Sequence, residues 1–203
     1  MKLPKLLFTA LFITCANLNS VDAQIAPKAE DVSPLLIGET LPKSDLKDPN
    51  GNKVKLSDII AKKPTVLVFY RGRWCPYCNA QLSGLGLIES DILKLGYQIV
   101  AISPDDVKNL KQIISDDSIK YSVYSDSAGK LIQEVGIAYQ TPGPVKGFIA
   151  SKTKGTVTEV LPVPTVMVIN TKGEILFEYI NPNYKERISP EMLLAVLQSL
   201  NAS

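Results

Sequence analysis

The chain has 203 residues, and none of them is histidine. Without an imidazole group, mechanisms that use a histidine base are excluded, and so is every metal site that needs a histidine ligand. Cysteine is scarce, with three in the whole chain. Three cysteines are too few for a tetracysteine zinc site within one chain, and they exclude a disulfide-rich scaffold. We therefore expect no bound metal, and the chemistry considered below needs no cofactor.

An excess of charge of one sign is also absent. Lysine and arginine together number 22, and aspartate and glutamate number 20, which gives a formal net charge of +2. A charge this small and dispersed does not suggest a nucleic acid as a partner. The hydrophobic fraction of 45% and the charged fraction of 21% are typical of an ordered globular protein. At this length, the chain can form one ordinary domain with a sizeable core.

Long hydrophobic runs are missing too. The apolar run LLFTALFITCA, residues 6–16, is too short to anchor the chain across a bilayer. The run follows Lys2 and Lys5 and is followed by small residues up to Ala23, which is the three-part pattern of a secretory signal peptide. We expect residues 1–23 to be cleaved and the mature protein to be exported to the periplasm, with no stable membrane anchor. The mature chain then keeps two cysteines.

Beyond the signal peptide, predicted strands and helices alternate. Residues 24–43 are expected to form an N-terminal arm, and residues 44–203 a single domain that opens with a β-hairpin and a short helix capped by Ser57. Residues 136–160 are rich in glycine and proline and are expected to be an inserted loop with at most one strand, near 156–160. Strands are predicted at 65–70, 97–103, 121–124, 165–170 and 174–180, and helices at 76–95, from 103, at 127–135 and from 189.

This alternation predicts an α/β fold with a mixed central sheet flanked by helices, because the last two strands form a hairpin. One strand is followed directly by a CxxC motif at the start of a helix. A β-hairpin lies near the C-terminus. Together these features have the layout of a thioredoxin fold.

The stretch RGRWCPYCNAQ, residues 71–81, carries the candidate chemistry. We expect Cys75 at the N-cap of the helix and Pro76 at its first position. The unpaired N–H groups and the dipole of the helix would then favour a thiolate on Cys75. Cys78 follows within the first turn, on the same side, so the two sulfurs can form a disulfide. Cys75 is thus the candidate nucleophile, and Cys78 the thiol that resolves the mixed disulfide.

Neighbouring residues are candidates for supporting roles. Arg71 and Arg73 can add positive charge near the thiolate, and Trp74 can cover one side of the cysteine pair. Pro76 and Tyr77, between the cysteines, are expected to tune the reduction potential. The strand before the motif carries no acid that could accept a proton. Glu89 or Glu159 could take that role, but the favoured interpretation of both is a solvated surface charge.

A second feature lies before the strand at 165–170. Val163-Pro164-Thr165 predicts a loop with a cis proline that lies against the cysteine pair and leaves the backbone of Val163 free to pair with an extended substrate. The alternative is a trans proline that opens an edge strand.

From FYRGRWCPYCNAQL through LPVPTVMVINTKGEILFEYINPNY, the chain resembles the peroxiredoxin-like proteins of the alkyl hydroperoxide reductase/thiol-specific antioxidant (AhpC/TSA) family, in the thioredoxin superfamily. The resemblance covers roughly residues 38–200. It implies that Cys78 occupies the position of the peroxidatic cysteine, while Cys75 and Arg71 replace the family's threonine and proline. The family's distant arginine, which holds the peroxide, is expected to be missing, because Arg187 lies beyond its place.

Three functions remain open. The first is a thiol–disulfide oxidoreductase that cycles the Cys75/Cys78 dithiol. The second is a thiol peroxidase with Cys78 peroxidatic and Cys75 resolving. The third is a redox-inert binding module. The expected partners are a disulfide-containing protein or small molecule, or a peroxide, together with an upstream electron donor or acceptor protein.

Overall fold

The computed structural model describes residues 25–116, 119–153, 155 and 159–202. The expected signal peptide lies outside the described residues. The strands are β1 (Asp45–Lys47), β2 (Lys53–Lys55), β3 (Thr65–Phe69), β4 (Gln98–Ser103), β5 (Ser122–Ser125), β6 (Ala138–Gln140), β7 (Val160–Pro162), β8 (Thr165–Ile169) and β9 (Ile175–Ile180). The helices are α1 (Leu56–Ile60), α2 (Pro76–Lys94), α3 (Val107–Asp116), α4 (Lys130–Glu134), α5 (Gly143–Thr153) and α6 (Pro190–Asn201).

Seven strands form one mixed sheet in the order β2-β1-β5-β4-β3-β8-β9. Strands β3, β4 and β5 are parallel to one another, whereas β8 is antiparallel to β3 and β9 is antiparallel to β8. The hairpin of β1 and β2 extends the sheet beyond β5. This is the predicted α/β thioredoxin fold with an N-terminal hairpin, and the prediction is confirmed.

The core lies on both faces of the sheet. In β3, Val66 and Val68 pack with α2, α3 and α6, whereas Leu67 and Phe69 pack with α1 and α4. A strand that is covered on both faces reads as a continuous apolar run, because both sets of alternating side chains are buried. The run TVLVFY has this pattern, and all five residues of β3 are buried.

Two helix starts differ from the prediction. Ser57 lies inside α1 rather than at its cap, and the N-cap residue, Lys55, makes no capping hydrogen bond with its side chain. The helix expected from residue 103 begins only at Val107, because β4 continues to Ser103 in register with β5. The side chain of Asp106 then accepts a hydrogen bond from the backbone N–H of Asn109 at 2.8 Å, which is the contact of an N-cap.

The segment 136–160 is not a simple loop, which corrects the prediction. It contains β6 and α5, and β6 pairs with β7 in a separate two-stranded sheet. The N-terminal arm joins this sheet, since the N–H of Ala26 donates to the carbonyl of Ala138 at 3.1 Å. Pairing on both sides thus orders a segment whose glycines and prolines had suggested irregular structure. Among the described residues, no helix is both long and apolar enough to cross a membrane.

The predicted cis proline is wrong. In the part of the chain that the structure describes, no peptide bond is cis, so Pro164 is trans. The alternative, an edge strand, is wrong as well, because β8 lies between β3 and β9. A proline is tolerated there because it stands before the first residue of the strand and so removes no ladder hydrogen bond.

The N-terminal arm makes a close crossing at Gly136, which generates a stability prediction. Gly136 has φ of 77°, and a Cβ atom there would collide with the backbone carbonyl of Ser33 in the arm. We expect Gly136→Ala to lower the free energy of unfolding by roughly 2–4 kcal/mol, through backbone strain and this collision. Urea denaturation measures the change.

Gly147→Ala is the matched control, because Gly147 lies in α5 and a Cβ there would meet nothing within 4 Å. We expect this control to raise the free energy of unfolding by up to about 1 kcal/mol, since alanine favours helix more than glycine does. If the Gly136→Ala variant and the unmodified protein had equal free energies of unfolding, the close contact between Gly136 and Ser33 would be contradicted.

Candidate active site

Cys75 stands at the N-cap of α2, and Pro76 follows at the start of the helix. Strand β3 ends at Phe69 and leads into this helix through residues 70–75. The Cys75 carbonyl accepts hydrogen bonds from the backbone N–H groups of Cys78 and Asn79, each at 3.1 Å. The Cys75 carbonyl thus makes the first hydrogen bonds of the helix. The Cys75 residue lies at the positive end of a long helix dipole.

Both cysteines are reduced thiols and both are buried, with Cys75 1% exposed and Cys78 fully covered. Several contacts lower the pKa of Cys75 to about 6. The largest is a hydrogen bond with the Cys78 thiol, which stabilises a thiolate on Cys75, and the backbone N–H of Cys78 and the charges of Arg71 and Arg187 add to it. At neutral pH, Cys75 is thus the ionised member of the pair.

Cys78 is the neutral member. Burial, and then the adjacent Cys75 sulfur, raise the pKa of the Cys78 thiol well above its ordinary value. The side chain of Arg187 donates a hydrogen bond from Nη2 to the Cys78 Sγ at 3.6 Å. This arginine was expected to be missing from the site, and that expectation is wrong. It reaches the cysteines from the segment between β9 and α6, at a position that its distance along the sequence did not reveal.

Arg71 is held between two aromatic rings. Its guanidinium carbon lies 4.7 Å from the ring centroid of Trp74 and 4.3 Å from that of Tyr184. The side chain is only 5% exposed, yet it makes no ion pair with a carboxylate among the described residues. Its charge instead acts on the Cys75 thiolate and on the hydroxyl of Tyr139. Stacking on two rings can hold a guanidinium in place without an acidic partner.

Arg73 takes a different role from Arg71. Its backbone N–H donates to the carboxylate of Asp105 at 2.7 Å, and its carbonyl accepts from the side chain of Asn79 at 3.1 Å. These bonds fix the loop before α2. Gly72 is needed in the same loop, because φ is 138° and a Cβ would collide with the Trp74 indole.

A pocket of about 350 Å³ opens beside Cys75. Trp74, Pro76 and Tyr77 line it from the motif. The ring of Phe148, on α5, packs edge-to-face against Trp74 with centroids 6.1 Å apart. Tyr184 packs in the same way against Tyr77, at 5.7 Å. Trp74 thus lines the pocket next to Cys75, and α5 supplies an outer wall.

The predicted substrate loop has little free backbone. The N–H of Val163 donates to the carbonyl of Ile137 at 2.8 Å, and its carbonyl accepts from the hydroxyl of Thr165 at 2.9 Å. Val163 packs in a small cluster together with Trp74, so the loop lies near the site. Pro164 accepts a bond from the N–H of Asn181 at 3.4 Å. An extended substrate would have to displace these contacts.

Neither predicted proton acceptor lies at the cysteines. Glu159 is exposed and pairs with Lys146, and Glu89 lies roughly 16 Å along α2 from Cys78 at 1.5 Å per residue. Asp105 is the acid that contacts the motif, since its carboxylate accepts the N–H of Arg73. The sequence analysis predicted Asp105 only as an acid in the first turn of a helix. One feature of the sequence could have predicted this contact. The motif follows β3 and Asp105 follows β4, and the carboxyl ends of these parallel strands meet at one edge of the sheet.

The sequence profile of the AhpC/TSA family matches residues 37–177. The chain belongs to this family. A relative named putative peroxiredoxin bcp, from Haemophilus influenzae, is 30% identical over 106 residues, which are 52% of this chain and 68% of the relative. Peroxiredoxin Bcp of Escherichia coli is 26% identical over 52% of this chain and 67% of its own.

Solved structures of other proteins share the fold. Peroxidoxin BcpB from Mycobacterium tuberculosis has a TM-score of 0.63 and 20% identity, over 81% of this chain and 97% of its own. Reduced Prx3 from Vibrio vulnificus in complex with H2O2 has a TM-score of 0.69 and 18% identity, over 80% and 99%. Because the sequence relatives are peroxiredoxins, which reduce peroxides with thiols, this AhpC/TSA chain is a thiol-dependent redox enzyme.

The acidity of Cys75 can be measured by alkylation. We expect the rate of reaction with iodoacetamide to rise with pH through an inflection near 6, because the thiolate reacts and the pKa of Cys75 is lowered to about 6. Cys78→Ala should move the inflection upward, since it removes the main hydrogen-bond donor. Cys78→Ser, which keeps a donor, should move it less.

Cys75→Ser is the control for that assignment. With Cys75 gone, the alkylation at low pH should disappear, because the pKa of Cys78 is raised. A Cys75→Ser variant that still reacted through an inflection near neutral pH would show that the ionised sulfur had been assigned to the wrong residue.

Proposed function

We propose that this chain is a thiol peroxidase in which Cys75 attacks the peroxide and Cys78 resolves the product. The observation that carries the proposal is the pairing of an ionised Cys75 with a neutral Cys78 that donates to it. The thiolate of Cys75 attacks the terminal oxygen of a hydroperoxide, the O–O bond breaks, and the alkoxide leaves as an alcohol after taking a proton. Cys75 becomes a sulfenic acid.

The second step closes the cycle within the motif. Cys78 attacks the sulfenic acid of Cys75, a disulfide forms, and water leaves. An external dithiol then returns two electrons to the disulfide and is itself oxidised. The raised pKa of Cys78 and its complete burial argue against the opposite order, in which Cys78 would be the peroxidatic cysteine.

The enclosure of Cys75 favours a small substrate. At 1% exposure, its sulfur offers little surface to a folded protein that carries a disulfide. The adjoining pocket of about 350 Å³ is lined largely by apolar side chains, among them Trp74, Val145 and Phe148. A pocket of this size and character fits the hydrocarbon part of an organic hydroperoxide.

Two arginines can assist the cleavage of the O–O bond. Arg71 and Arg187 both act electrostatically on Cys75, and Arg187 also donates to the Cys78 sulfur. Positive charge beside the breaking bond stabilises the departing oxygen anion as well as the attacking thiolate. In this proposal they supply the polarising charge that the resemblance had placed at another position in the sequence.

Thiol–disulfide exchange is the second candidate, because the same pair has an ionised attacking thiol and a resolving thiol three residues later. It would use a small disulfide or a flexible protein segment as substrate. A redox-inert module is disfavoured, since a buried thiolate held by two arginines has no evident structural use.

We also propose that the protein is exported and acts in the periplasm, where its reductant would be another exported or membrane-bound thiol protein. The support is the three-part pattern of residues 1–23.

The order of attack is tested by trapping. In Cys78→Ser treated with cumene hydroperoxide, we expect a sulfenic acid on Cys75 that dimedone captures, because no thiol remains to resolve it. Mass spectrometry of the labelled peptide locates the adduct. The hydroperoxide should oxidise Cys75 at least about tenfold faster than glutathione disulfide does. The reverse preference would replace the peroxidase with the exchange reaction.

Cys75→Ser serves as the matched control for trapping. We expect Cys78 in that variant to react with the hydroperoxide no faster than an ordinary thiol, since burial keeps it protonated. Rapid formation of a sulfenic acid on Cys78 would restore the order implied by the resemblance.

Export is tested by expression of the full chain in a Gram-negative host. We expect the protein in the periplasmic fraction with Gln24 as its first residue, because cleavage after Ala23 fits the pattern. N-terminal sequencing of the recovered protein measures this. Recovery of the protein with an intact N-terminus from the cytoplasm would contradict the proposal.

A further inference from the structure

Arg71 carries a buried positive charge that no carboxylate among the described residues balances. The side chain is 5% exposed, and its Nε atom has no hydrogen-bond partner in the described part of the chain. The rings of Trp74 and Tyr184 lie against its guanidinium carbon, at 4.7 Å and 4.3 Å. A ring that stacks on a guanidinium covers its face and leaves the N–H groups at its edge for other partners.

The pocket beside Cys75 is bounded by this guanidinium. Arg71 and Cys75 both line the cavity of about 350 Å³, and the other lining residues are prolines, valine and aromatic residues. None of the lining residues is acidic. A ligand in the cavity can therefore present one group to the Cys75 sulfur and a second group to Arg71.

The charges at the cysteine pair leave room for a further anion. Arg71 and Arg187 both act electrostatically on Cys75. The Cys75 thiolate balances only one of these two charges, because Cys78 keeps its proton. A guanidinium that is removed from water without a counter-charge costs free energy. One more anion in the pocket would pair with the remaining charge.

Lysine side chains add positive charge at the outer side of the pocket. The Nζ atom of Lys152 lies 5.7 Å from the ring centroid of Phe148, and that of Lys185 lies 6.0 Å from the ring centroid of Tyr184. Both rings line the pocket and are partly exposed to solvent. Cations beside a cavity with apolar walls raise the local concentration of anions. The approach to the pocket and its interior thus favour the same sign of ligand charge.

The walls of the pocket limit the body of such a ligand. Trp74 and Phe148 meet edge to face with centroids 6.1 Å apart, and Val145 lines the same cavity. Aromatic walls pack well against another aromatic ring. A volume of about 350 Å³ is at the small end of ligand pockets. The cavity therefore suits a single ring or a short branched group rather than a long chain.

We propose that Arg71 binds a carboxylate of the substrate, so that the preferred oxidant is a compact aromatic or branched hydroperoxide that also carries a carboxylate. This assignment rests on the proposed function in taking a hydroperoxide as the oxidant. The Cys75 thiolate attacks the terminal peroxide oxygen, the O–O bond breaks, and Cys75 keeps the OH group as a sulfenic acid. The alkoxide takes a proton from solvent, and the carboxylate leaves unchanged as part of the alcohol. Two guanidinium groups then balance a thiolate and a carboxylate before the reaction.

Binding is measured with molecules that cannot react. Trp74 is the one tryptophan of the chain, so its fluorescence reports on the pocket. Reduced protein is titrated with para-isopropylbenzoate and with para-isopropylbenzamide, which has the same shape and no charge. We expect the carboxylate to bind at least about tenfold more tightly than the amide. Equal affinities would overturn the proposal on the wild-type protein alone.

Sodium acetate separates a substrate site from a site that holds any small anion. Acetate has the carboxylate but lacks the ring. We expect acetate to leave the Trp74 fluorescence unchanged at concentrations at which para-isopropylbenzoate saturates the protein. Saturation by acetate in the same range would overturn the proposal, because the site would then not recognise the body of the ligand.

Arg71→Met removes the charge and keeps an unbranched apolar side chain between the two rings. We expect the carboxylate and the amide to bind this variant with affinities within about twofold of each other. A preference for the carboxylate that survived the substitution would refute the role of Arg71.

Lys172→Gln is the matched control, because it also removes one positive charge. Lys172 lies in the turn between β8 and β9. Strand β8 runs from the motif end of the sheet, where Thr165 pairs with Phe69, to this turn at the other end. The control should keep the full preference for the carboxylate, and loss of the preference would show that net charge, rather than Arg71, selects the ligand.

Turnover distinguishes this proposal from the peroxidase function. Reduced wild-type protein is assayed with cumene hydroperoxide and with its para-carboxylate. If it reduces neither faster than an ordinary thiol does, the peroxidase function fails, and the titrations still decide whether Arg71 binds a carboxylate. Otherwise we expect kcat/KM to be at least about tenfold higher for the carboxylate, and this ratio should fall toward one in Arg71→Met. Equal kcat/KM values in the wild type would overturn the substrate preference while the peroxidase function stood.

Discussion

A hydrogen bond from the Cys78 thiol to the Cys75 sulfur sets the charge state of the cysteine pair. It leaves one proton on two neighbouring sulfurs, and the start of α2 decides which sulfur keeps it. The helix end, the backbone N–H of Cys78 and two arginines favour the charge on Cys75. Complete burial favours the proton on Cys78. The two thiols are chemically alike, so their division of labour comes entirely from their surroundings.

The absence of histidine gives this arrangement its particular form. Many enzymes use an imidazole to accept and return protons near neutral pH. Here positive charge comes from guanidinium groups that cannot release a proton, and the carboxyl that contacts the motif is Asp105, which accepts the backbone N–H of Arg73. Stacking between Trp74 and Tyr184 holds Arg71 without an acid that would neutralise it. Its charge therefore acts on the thiolate without a carboxylate to neutralise it.

The fold and the reactive pair could be predicted from the sequence because both depend on local patterns. The run TVLVFY is apolar throughout since β3 is covered on both faces, and Pro76 after Cys75 marks the first turn of a helix. Contacts between distant segments were not visible in those patterns. Arg187 reaches Cys78 across 109 positions, and Asp105 reaches the N–H of Arg73 across 32. Pro164 misled the prediction, because the position of β8 within the sheet is a property of the whole topology.

The helix α5 stands apart from the cysteines in the architecture. It follows β6 of the small two-stranded sheet, and Phe148 is its contribution to the wall beside Trp74. Neither β6 nor β7, the strands on either side of α5 in the sequence, belongs to the seven-stranded sheet that carries the motif. Substitutions in α5 can therefore change which oxidant the pocket accepts without changing the cysteine pair. Homologues with the same CxxC motif need not prefer the same oxidant.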